Sequence, residues 1–219
     1  MNAERTNSSK VLSEGYKGII KVCGMRGAEN IREVENLGID WIGFIFYRKS
    51  SRFVSQVPDY LPEKAKRVGV FVNETKENII ETTERFALDF VQLHGNESPD
   101  FCEEICKEGV RIIKAFSIED SFPIETVKEY ESVCDYFLFD TKTLQYGGSG
   151  KKFNWEVLSH YRGNKPFLLS GGISPEDAES IRQFQHPMCA GIDINSKFEI
   201  SPALKNVGLV RQFIDRIRL

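Results

Sequence analysis

Eight short apolar stretches recur along the chain, and most of their residues are β-branched or aromatic. They cover residues 19–23, 41–46, 68–72, 90–93, 112–115, 136–139, 167–169 and 191–194. A continuous apolar run of this length is typical of a parallel strand buried on both faces, and it is too short for a helix. The pattern therefore predicts eight strands.

Between these stretches the hydrophobic period changes to that of an amphipathic helix. Apolar residues recur three or four positions apart in several segments, as in the stripe Val210, Phe213, Ile214 and Ile217. Ser98-Pro99 and Ser174-Pro175 indicate helix starts, with serine as the cap and proline in the first helical position, and Gly38 indicates a helix end. We expect a helix after each strand, repeated eight times.

Strands that alternate with helices form parallel sheets with right-handed crossovers. Eight such units close naturally into a barrel, whereas an open doubly wound sheet usually has about five or six strands. The sequence therefore predicts a single (β/α)8 TIM barrel over residues 18–219. The polar leader, residues 1–17, has a composition that favours disorder.

Composition and charge exclude several classes of protein. The 219 residues carry a net charge of −3 and no basic cluster beside a nucleic-acid motif, so we expect no nucleic-acid partner. No apolar run approaches the roughly 20 residues of a membrane span, and the start lacks a secretory signal. The five cysteines show no disulfide or zinc spacing, which favours reduced thiols, a cytoplasmic protein and no bound metal.

Reactive side chains stand where several predicted strands end, which is where such barrels place their active sites. These residues are Cys23, His94, Asp140 and Asp193. Side chains alternate along a strand, so Asp140 shares an inward face with Leu138, and Gln92 shares one with His94. Taken singly, each is more often a core, cap or hydrogen-bonding residue, but their joint placement at one end of the barrel favours a catalytic site.

Glycine-rich turns after the last two strands favour a phosphorylated ligand. Gly171 and Gly172 follow strand 7, and Asn195 and Ser196 follow strand 8, where barrels often bind phosphate through backbone N–H groups. Tight turning alone explains these glycines equally well. The segment 147–151 is no nucleotide-binding loop, because Gln145 and Lys152 break that motif. A loop able to close over the ligand beside Asp140 fits better, and a mobile surface loop without such a role is the alternative.

Seven motifs occur in the order in which phosphoribosylanthranilate isomerases carry them. They are KVCG (21–24), GFIF with KSSR (43–46 and 49–52), VGVFVN (68–73), VQLHG (91–95), DTKT (140–143) with the loop 147–150, LSGG (169–172) and GIDINS (191–196). Over residues 18–218 the chain resembles this family of tryptophan biosynthesis. The departures are Arg48, where proline is common, and Asn195, where serine is common.

The resemblance implies an Amadori rearrangement of N-(5-phosphoribosyl)anthranilate to 1-(2-carboxyphenylamino)-1-deoxyribulose 5-phosphate without a cofactor. It assigns the general acid to Asp140 and the general base to Cys23. It also implies that Arg52 binds the substrate carboxylate, that His94 and Asp193 orient the substrate, and that Gly171, Gly172, Asn195 and Ser196 bind its phosphate.

Several alternatives stay open at this point. Lys21 either lowers the pKa of Cys23 or only forms an ion pair with Asp193. The related isomerase of histidine biosynthesis uses an aspartate at the end of strand 1, against which Cys23 argues. A barrel that merely binds phosphorylated metabolites is the alternative outside enzymes. The choice between a monomer and a homodimer is open as well.

Overall fold

Eight parallel strands form a closed barrel in the computed structural model, which describes residues 15–118, 122–141 and 155–219. The strands are β1 (Ile19–Val22), β2 (Trp41–Ile45), β3 (Lys66–Phe71), β4 (Phe90–Leu93), β5 (Ile112–Ile118), β6 (Tyr136–Thr141), β7 (Phe167–Ser170) and β8 (Cys189–Ile194). Each strand pairs with the next, and β8 pairs with β1. The predicted (β/α)8 barrel is confirmed.

Helices and short 3₁₀ turns surround the barrel. The α-helices of the described ranges are α1 (Ala28–Glu35), α2 (Lys76–Phe86), α3 (Pro99–Cys106), α4 (Ile124–Lys128), α5 (Ala178–Gln183) and α6 (Val207–Arg218). The 3₁₀ helices are Trp155–His160, Pro175–Asp177 and Ser196–Phe198, and β9 (Glu199–Ser201) pairs with β10 (Leu204–Lys205) as a small antiparallel hairpin. No helix in the described part of the chain is long and apolar enough to span a membrane.

The connection from β2 to β3 departs from the expected repeat. Residues 46–65 form turns and bends, with one isolated bridge between Ile45 and Phe53, and contain no helix. Pro58 and Pro62 lie within this segment, and proline removes a backbone donor that a helix interior needs. The expectation of a helix after every strand is therefore wrong here.

Local start and stop signals predicted the ends of helices elsewhere. The Ser98 hydroxyl accepts a hydrogen bond from Phe101 N at 3.2 Å, and Pro99 is the first residue of α3. Ser174 and Asp177 form a reciprocal capping box at the 3₁₀ helix that precedes α5. Gly38 adopts a positive φ of 77° just beyond α1, where a side chain would be strained. These predictions are confirmed.

Successive side chains of a strand point to opposite faces of the barrel, so one set fills the interior and the other packs against the surrounding helices. Leu138 of β6 belongs to an interior cluster with residues from six other strands, whereas Phe137 and Phe139 pack in the outer cluster beneath the helices. The predicted two-faced pattern of β6 is confirmed. Asp140, two positions after Leu138, therefore lies on the inward face where the strand ends.

Candidate active site

A cavity of about 210 Å³ lies at the carboxyl ends of the strands. It is lined by Cys23, Ile45, Val70, Gln92, His94, Asp140, Ser170, Gly171, Gly172, Ile173, Asp193, Asn195 and Ser196. The structure thus brings together all the residues that the sequence suggested for the site except Arg52. Lys142, Thr143 and the loop 147–150 lie outside the described residues.

Cys23 follows β1 and is buried under the rim of the cavity. Its backbone N donates to Ile194 O of β8 at 2.9 Å, which fixes the thiol between the first and last strands. A Cβ at Gly43 would lie 2.8 Å from the sulfur, so glycine at that position leaves room for the thiol. Burial raises the pKa of the Cys23 thiol, although the positive charges of Lys21 and Lys205 oppose this increase.

Lys21 and Asp193 form a buried ion pair at the bottom of the site. Lys21 Nζ lies 2.8 Å from Asp193 Oδ1, and the two residues are in register on adjoining strands. Burial acts to lower the pKa of Lys21, but Asp193 and then Cys23 outweigh burial and raise it. Ser170 Oγ donates to the other Asp193 oxygen at 3.3 Å. Lys21 thus pairs directly with the carboxylate, and its charge also acts to lower the pKa of the thiol, so both interpretations of Lys21 retain a structural basis.

Three polar side chains form a chain across the opposite wall of the cavity. His94 Nε2 lies 3.2 Å from Asp140 Oδ2, and Gln92 Nε2 lies 2.9 Å from His94 Nδ1. Gln92 was not among the predicted site residues, although the alternation that paired it with His94 was the signal that could have found it. The imidazole therefore connects a buried amide to the carboxyl group of Asp140.

Arg52 lies beside the cavity rather than in its lining and is held by Glu199. Its Nε and Nη2 donate to the Glu199 carboxylate at 2.6 to 3.0 Å, and this bonding raises the pKa of Arg52. Lys205 Nζ donates to Glu199 at 2.6 Å and to Asn195 Oδ1 at 2.8 Å. Burial favours a higher pKa for Glu199, but its bonds to Arg52 and Lys205 prevail and lower it.

Of the cluster formed by Arg52, Glu199 and Lys205, the sequence analysis identified only Arg52. Glu199 and Lys205 belong to the hairpin of β9 and β10, beyond the end of the last barrel strand. Burial lowers the pKa of Lys205, against the influence of Glu199. Two cations and one anion thus lie behind Asn195, and their charges favour an anionic group on the cavity side.

Two consecutive glycines shape the turn after β7. Gly171 and Gly172 have φ values of 100° and 67°, and an added Cβ at Gly172 would meet nothing within 4 Å. Glycine is therefore favoured at 172 by the left-handed backbone conformation and not by crowding. Turns of this kind can direct successive N–H groups toward an anion. Asn195 and Ser196 line the same cavity, so all four predicted phosphate-binding residues lie together.

A larger cleft of about 550 Å³ lies on the outer side of β7 and β8, lined by residues such as Tyr16, Phe184 and Cys189. Among the residues that the structure describes, no carboxyl group borders this cleft, whereas the smaller cavity combines a thiol, an imidazole and two carboxyl groups. Within the described ranges, no group of three or more His, Cys, Asp or Glu residues could hold a metal ion. All five cysteines are free. The smaller cavity is therefore the candidate site for acid–base chemistry.

Comparison with known proteins identifies a family for this chain. The sequence profile described as "PRAI: N-(5'phosphoribosyl)anthranilate (PRA) isomerase" matches residues 20–216. A relative from Phocaeicola vulgatus, named N-(5'-phosphoribosyl)anthranilate isomerase, is 52% identical over 200 residues, which cover 91% of this chain and 98% of the relative.

Solved structures agree with this match. A phosphoribosyl anthranilate isomerase in complex with reduced 1-(o-carboxyphenylamino)-1-deoxyribulose 5-phosphate is 30% identical, covers 92% of this chain and 98% of its own, and gives a TM-score of 0.75. A structure of monomers generated from the dimeric enzyme of Thermotoga maritima has the same identity and coverage with a TM-score of 0.76.

Proposed function

Because the chain belongs to the N-(5'-phosphoribosyl)anthranilate isomerase family of tryptophan biosynthesis, we propose that its cavity performs the family's rearrangement with Asp140 as acid and Cys23 as base. The substrate is N-(5-phosphoribosyl)anthranilate and the product is 1-(2-carboxyphenylamino)-1-deoxyribulose 5-phosphate. The observation that carries the proposal is that Cys23 and Asp140 face one cavity from strands on different sides of the barrel.

The acid step opens the sugar ring. A protonated Asp140 gives its proton to the ring oxygen while the bond from C1 to that oxygen breaks and the amine nitrogen forms a C=N double bond. Asp140 is left as a carboxylate, 3.2 Å from His94 Nε2. A hydrogen bond from an imidazole N–H stabilises a carboxylate, so His94 favours this proton transfer.

The base step moves a proton from carbon. The Cys23 thiolate removes the proton from C2, and the electrons of the C–H bond form a C1=C2 double bond as nitrogen regains its lone pair. The resulting enaminol becomes the ketone when its hydroxyl loses a proton and C1 gains one. Lys21 supports this step because its positive charge lowers the free energy of the thiolate relative to the thiol.

Substrate binding uses the charges around the cavity. Among the described residues, Glu199 engages Nε and Nη2 of Arg52, which leaves the Nη1 edge for the anthranilate carboxylate. Backbone N–H groups near Gly171, Gly172, Asn195 and Ser196 bind the phosphate, with the buried Lys205 ammonium behind Asn195. Asp193, held by Lys21 and Ser170, presents a fixed carboxylate to the sugar.

The test is the initial rate at which the purified protein consumes freshly prepared substrate, followed by substrate fluorescence without metal or nucleotide. Asp140→Asn and Cys23→Ser keep the side-chain shapes while removing the acid and the base. We expect each to lower kcat by about a hundredfold or more, the scale of a lost general acid or base.

Arg52→Lys separates binding from chemistry in the same assay. A lysine cannot make the forked contact, so we expect KM to rise about tenfold with little change in kcat. Turnover of the histidine-pathway aminoaldose in preference to this substrate would contradict the assignment. If folded wild-type protein bound the product without any turnover, the chain would be a binding barrel only.

We also propose a homodimer, the assembly that the name of the Thermotoga maritima structure gives for that enzyme. Ile200 and Leu204 of the β9–β10 hairpin are exposed apolar side chains that a second copy could cover. Sedimentation velocity should then give twice the 25.0 kDa of the chain. A single species of 25.0 kDa would contradict the dimer and leave the catalytic proposal intact.

A further inference from the structure

The carboxamide of Gln92 is buried in the active-site wall with only one end in use. Gln92 is 1% exposed and lines the cavity between Val70 and His94. Its Nε2 lies 2.9 Å from His94 Nδ1, whereas its buried Oε1 has no hydrogen-bond partner among the described residues. A buried carbonyl oxygen without a donor is unfavourable, and in a substrate cavity it indicates a partner that arrives with the ligand.

The nitrogen end of the Gln92 amide determines which ring nitrogen of His94 carries the proton. With the Gln92 amide oriented so that its NH2 group faces the imidazole, the NH2 group can only donate, so His94 Nδ1 accepts and carries no hydrogen. In a neutral imidazole the proton is then on Nε2, which lies 3.2 Å from Asp140 Oδ2. When Asp140 is ionised, the opposite tautomer would place a lone pair against its carboxylate and would leave this contact unfavourable.

We propose that Gln92 is a positioning residue with two roles. It holds His94 in the Nε2–H tautomer, so that His94 donates to Asp140, and its Oε1 accepts a hydrogen bond from a hydroxyl of the bound sugar. The second role rests on the proposed function, because it names a sugar phosphate as the ligand. The first role is a property of the free protein and does not depend on it.

A sugar hydroxyl is the donor that fits the surroundings. Gln92 is in register with Val70 of β3, which is in register with Ile45 of β2, so the described side chains of the lining on that side of Gln92 are apolar. The reacting carbons must lie between Cys23 and Asp140, and the donors bonded to neighbouring carbons of a pentose are hydroxyls. A site that hydrogen-bonds a substrate hydroxyl discriminates strongly against analogues that lack it.

The tautomer is tested by long-range ¹H–¹⁵N correlation spectra of ¹⁵N-histidine protein without substrate. The chain has three histidines, His94, His160 and His186, and a His94→Asn variant identifies the signals of His94. We expect a protonated Nε2 and an unprotonated Nδ1 in the wild type. Gln92→Met should give a mixture of tautomers at His94, and Gln92→Glu should move a proton to Nδ1, with His160 and His186 unchanged as internal controls.

The hydroxyl contact is tested with the reduced product analogue and with versions of it that each lack one hydroxyl. Dissociation constants are measured for the wild type and for Gln92→Met, whose unfolding midpoint in urea is checked first. We expect Gln92→Met to weaken binding of the full analogue about tenfold. For the analogue that lacks the partner hydroxyl, the same substitution should have no further effect.

The outcomes separate the two roles from the proposed function. A wild-type His94 with its proton on Nδ1, or a His94 spectrum that Gln92→Met leaves unchanged, overturns the tautomer role. Equal weakening of every analogue, or no weakening at all, overturns the hydroxyl contact. Failure of the protein to isomerise the substrate would contradict the function and still leave the spectra of the free protein as a test of the tautomer. Should Gln92→Met not fold, Gln92→Leu, which also lacks the amide, replaces it in both measurements.

Discussion

At the scale of single residues, the proposed base is a thiol whose pKa is shifted in opposite directions by burial and by a neighbouring positive charge. Burial raises the pKa of Cys23, while Lys21 acts to lower it from its place beside the thiol. The ion pair between Lys21 and Asp193 reduces that effect, because Asp193 itself favours the neutral thiol. The reactivity of Cys23 therefore depends on the balance between burial and two opposite charges.

Lys21→Met should move the pH dependence of the reaction to higher pH. Without the ammonium group the pKa of the Cys23 thiol rises further, so less thiolate is present at any pH below that pKa. At pH values below the pKa, each unit by which the pKa rises lowers the thiolate fraction about tenfold. The rise of kcat/KM with pH should therefore begin at higher pH, and alkylation of Cys23, followed by peptide mass spectrometry, should shift in parallel.

The double variant Lys21→Met with Asp193→Asn is the matched control for this effect. It also removes the negative charge that raises the pKa of the thiol, so its profile should return part of the way toward the wild type. Identical profiles for Lys21→Met and the wild type would mean that Lys21 serves only to pair with Asp193.

At the scale of elements, a second buried ion pair anchors the segment that carries His94. Lys114 of β5 donates to Gly95 O at 2.8 Å and to Glu97 Oε2 at 3.1 Å. Glu97 in turn accepts from Asn73 N at 2.8 Å and Gly95 N at 2.9 Å. The side chains of Lys114 and Glu97 are 3% and 2% exposed, so neither charge can be solvated if the other is removed.

Lys114→Met should destabilise the fold by about 3–5 kcal/mol, the cost of leaving a buried partner charge uncompensated. Urea unfolding with linear extrapolation measures this difference. Adding Glu97→Gln removes the orphaned charge while keeping an oxygen acceptor, and it should recover part of the loss. Both variants should also lower kcat, because the backbone at Gly95, next to His94, loses its contact with the Lys114 ammonium.

Lys66→Met provides the surface comparison, since Lys66 forms an ion pair with Asp89 but is 54% exposed. We expect this variant to lose at most about 1 kcal/mol. Equal losses for Lys114→Met and Lys66→Met would show that the buried pair has no special role in holding the segment after β4.

Strands and helix ends could be predicted from the sequence where a local pattern of apolar, capping or turn residues determines them. Continuous apolar runs gave all eight strands, and alternation correctly placed Asp140 on an inward face. The segment between β2 and β3 was mispredicted, because a repeat was assumed where prolines interrupt the chain. The cluster around Glu199 could not be predicted, since its bond to Arg52 joins residues 147 positions apart, and no local pattern encodes such a pair.

At the scale of the whole molecule, the described barrel closes without residues 1–14. Tyr16 N donates to Ile217 O of α6 at 2.9 Å, just before β1 begins. The boundary after residue 17 stays a prediction from composition. Deletion of residues 1–14 should leave kcat/KM and the urea midpoint unchanged, because the described residues that line the site all lie beyond the deletion. A clear decrease in either quantity would assign the leader a role in the barrel.

Closure between β1 and β8 joins Lys21 to Asp193 across 172 positions of sequence. During synthesis, Lys21 leaves the ribosome long before its carboxylate partner exists, and the thiol of Cys23 has no finished pocket until the eighth strand docks. A chain that stops short of that strand therefore lacks the site altogether, instead of carrying a weakened version of it. We therefore expect turnover only after translation has passed β8, the strand that supplies Asp193 to the cavity.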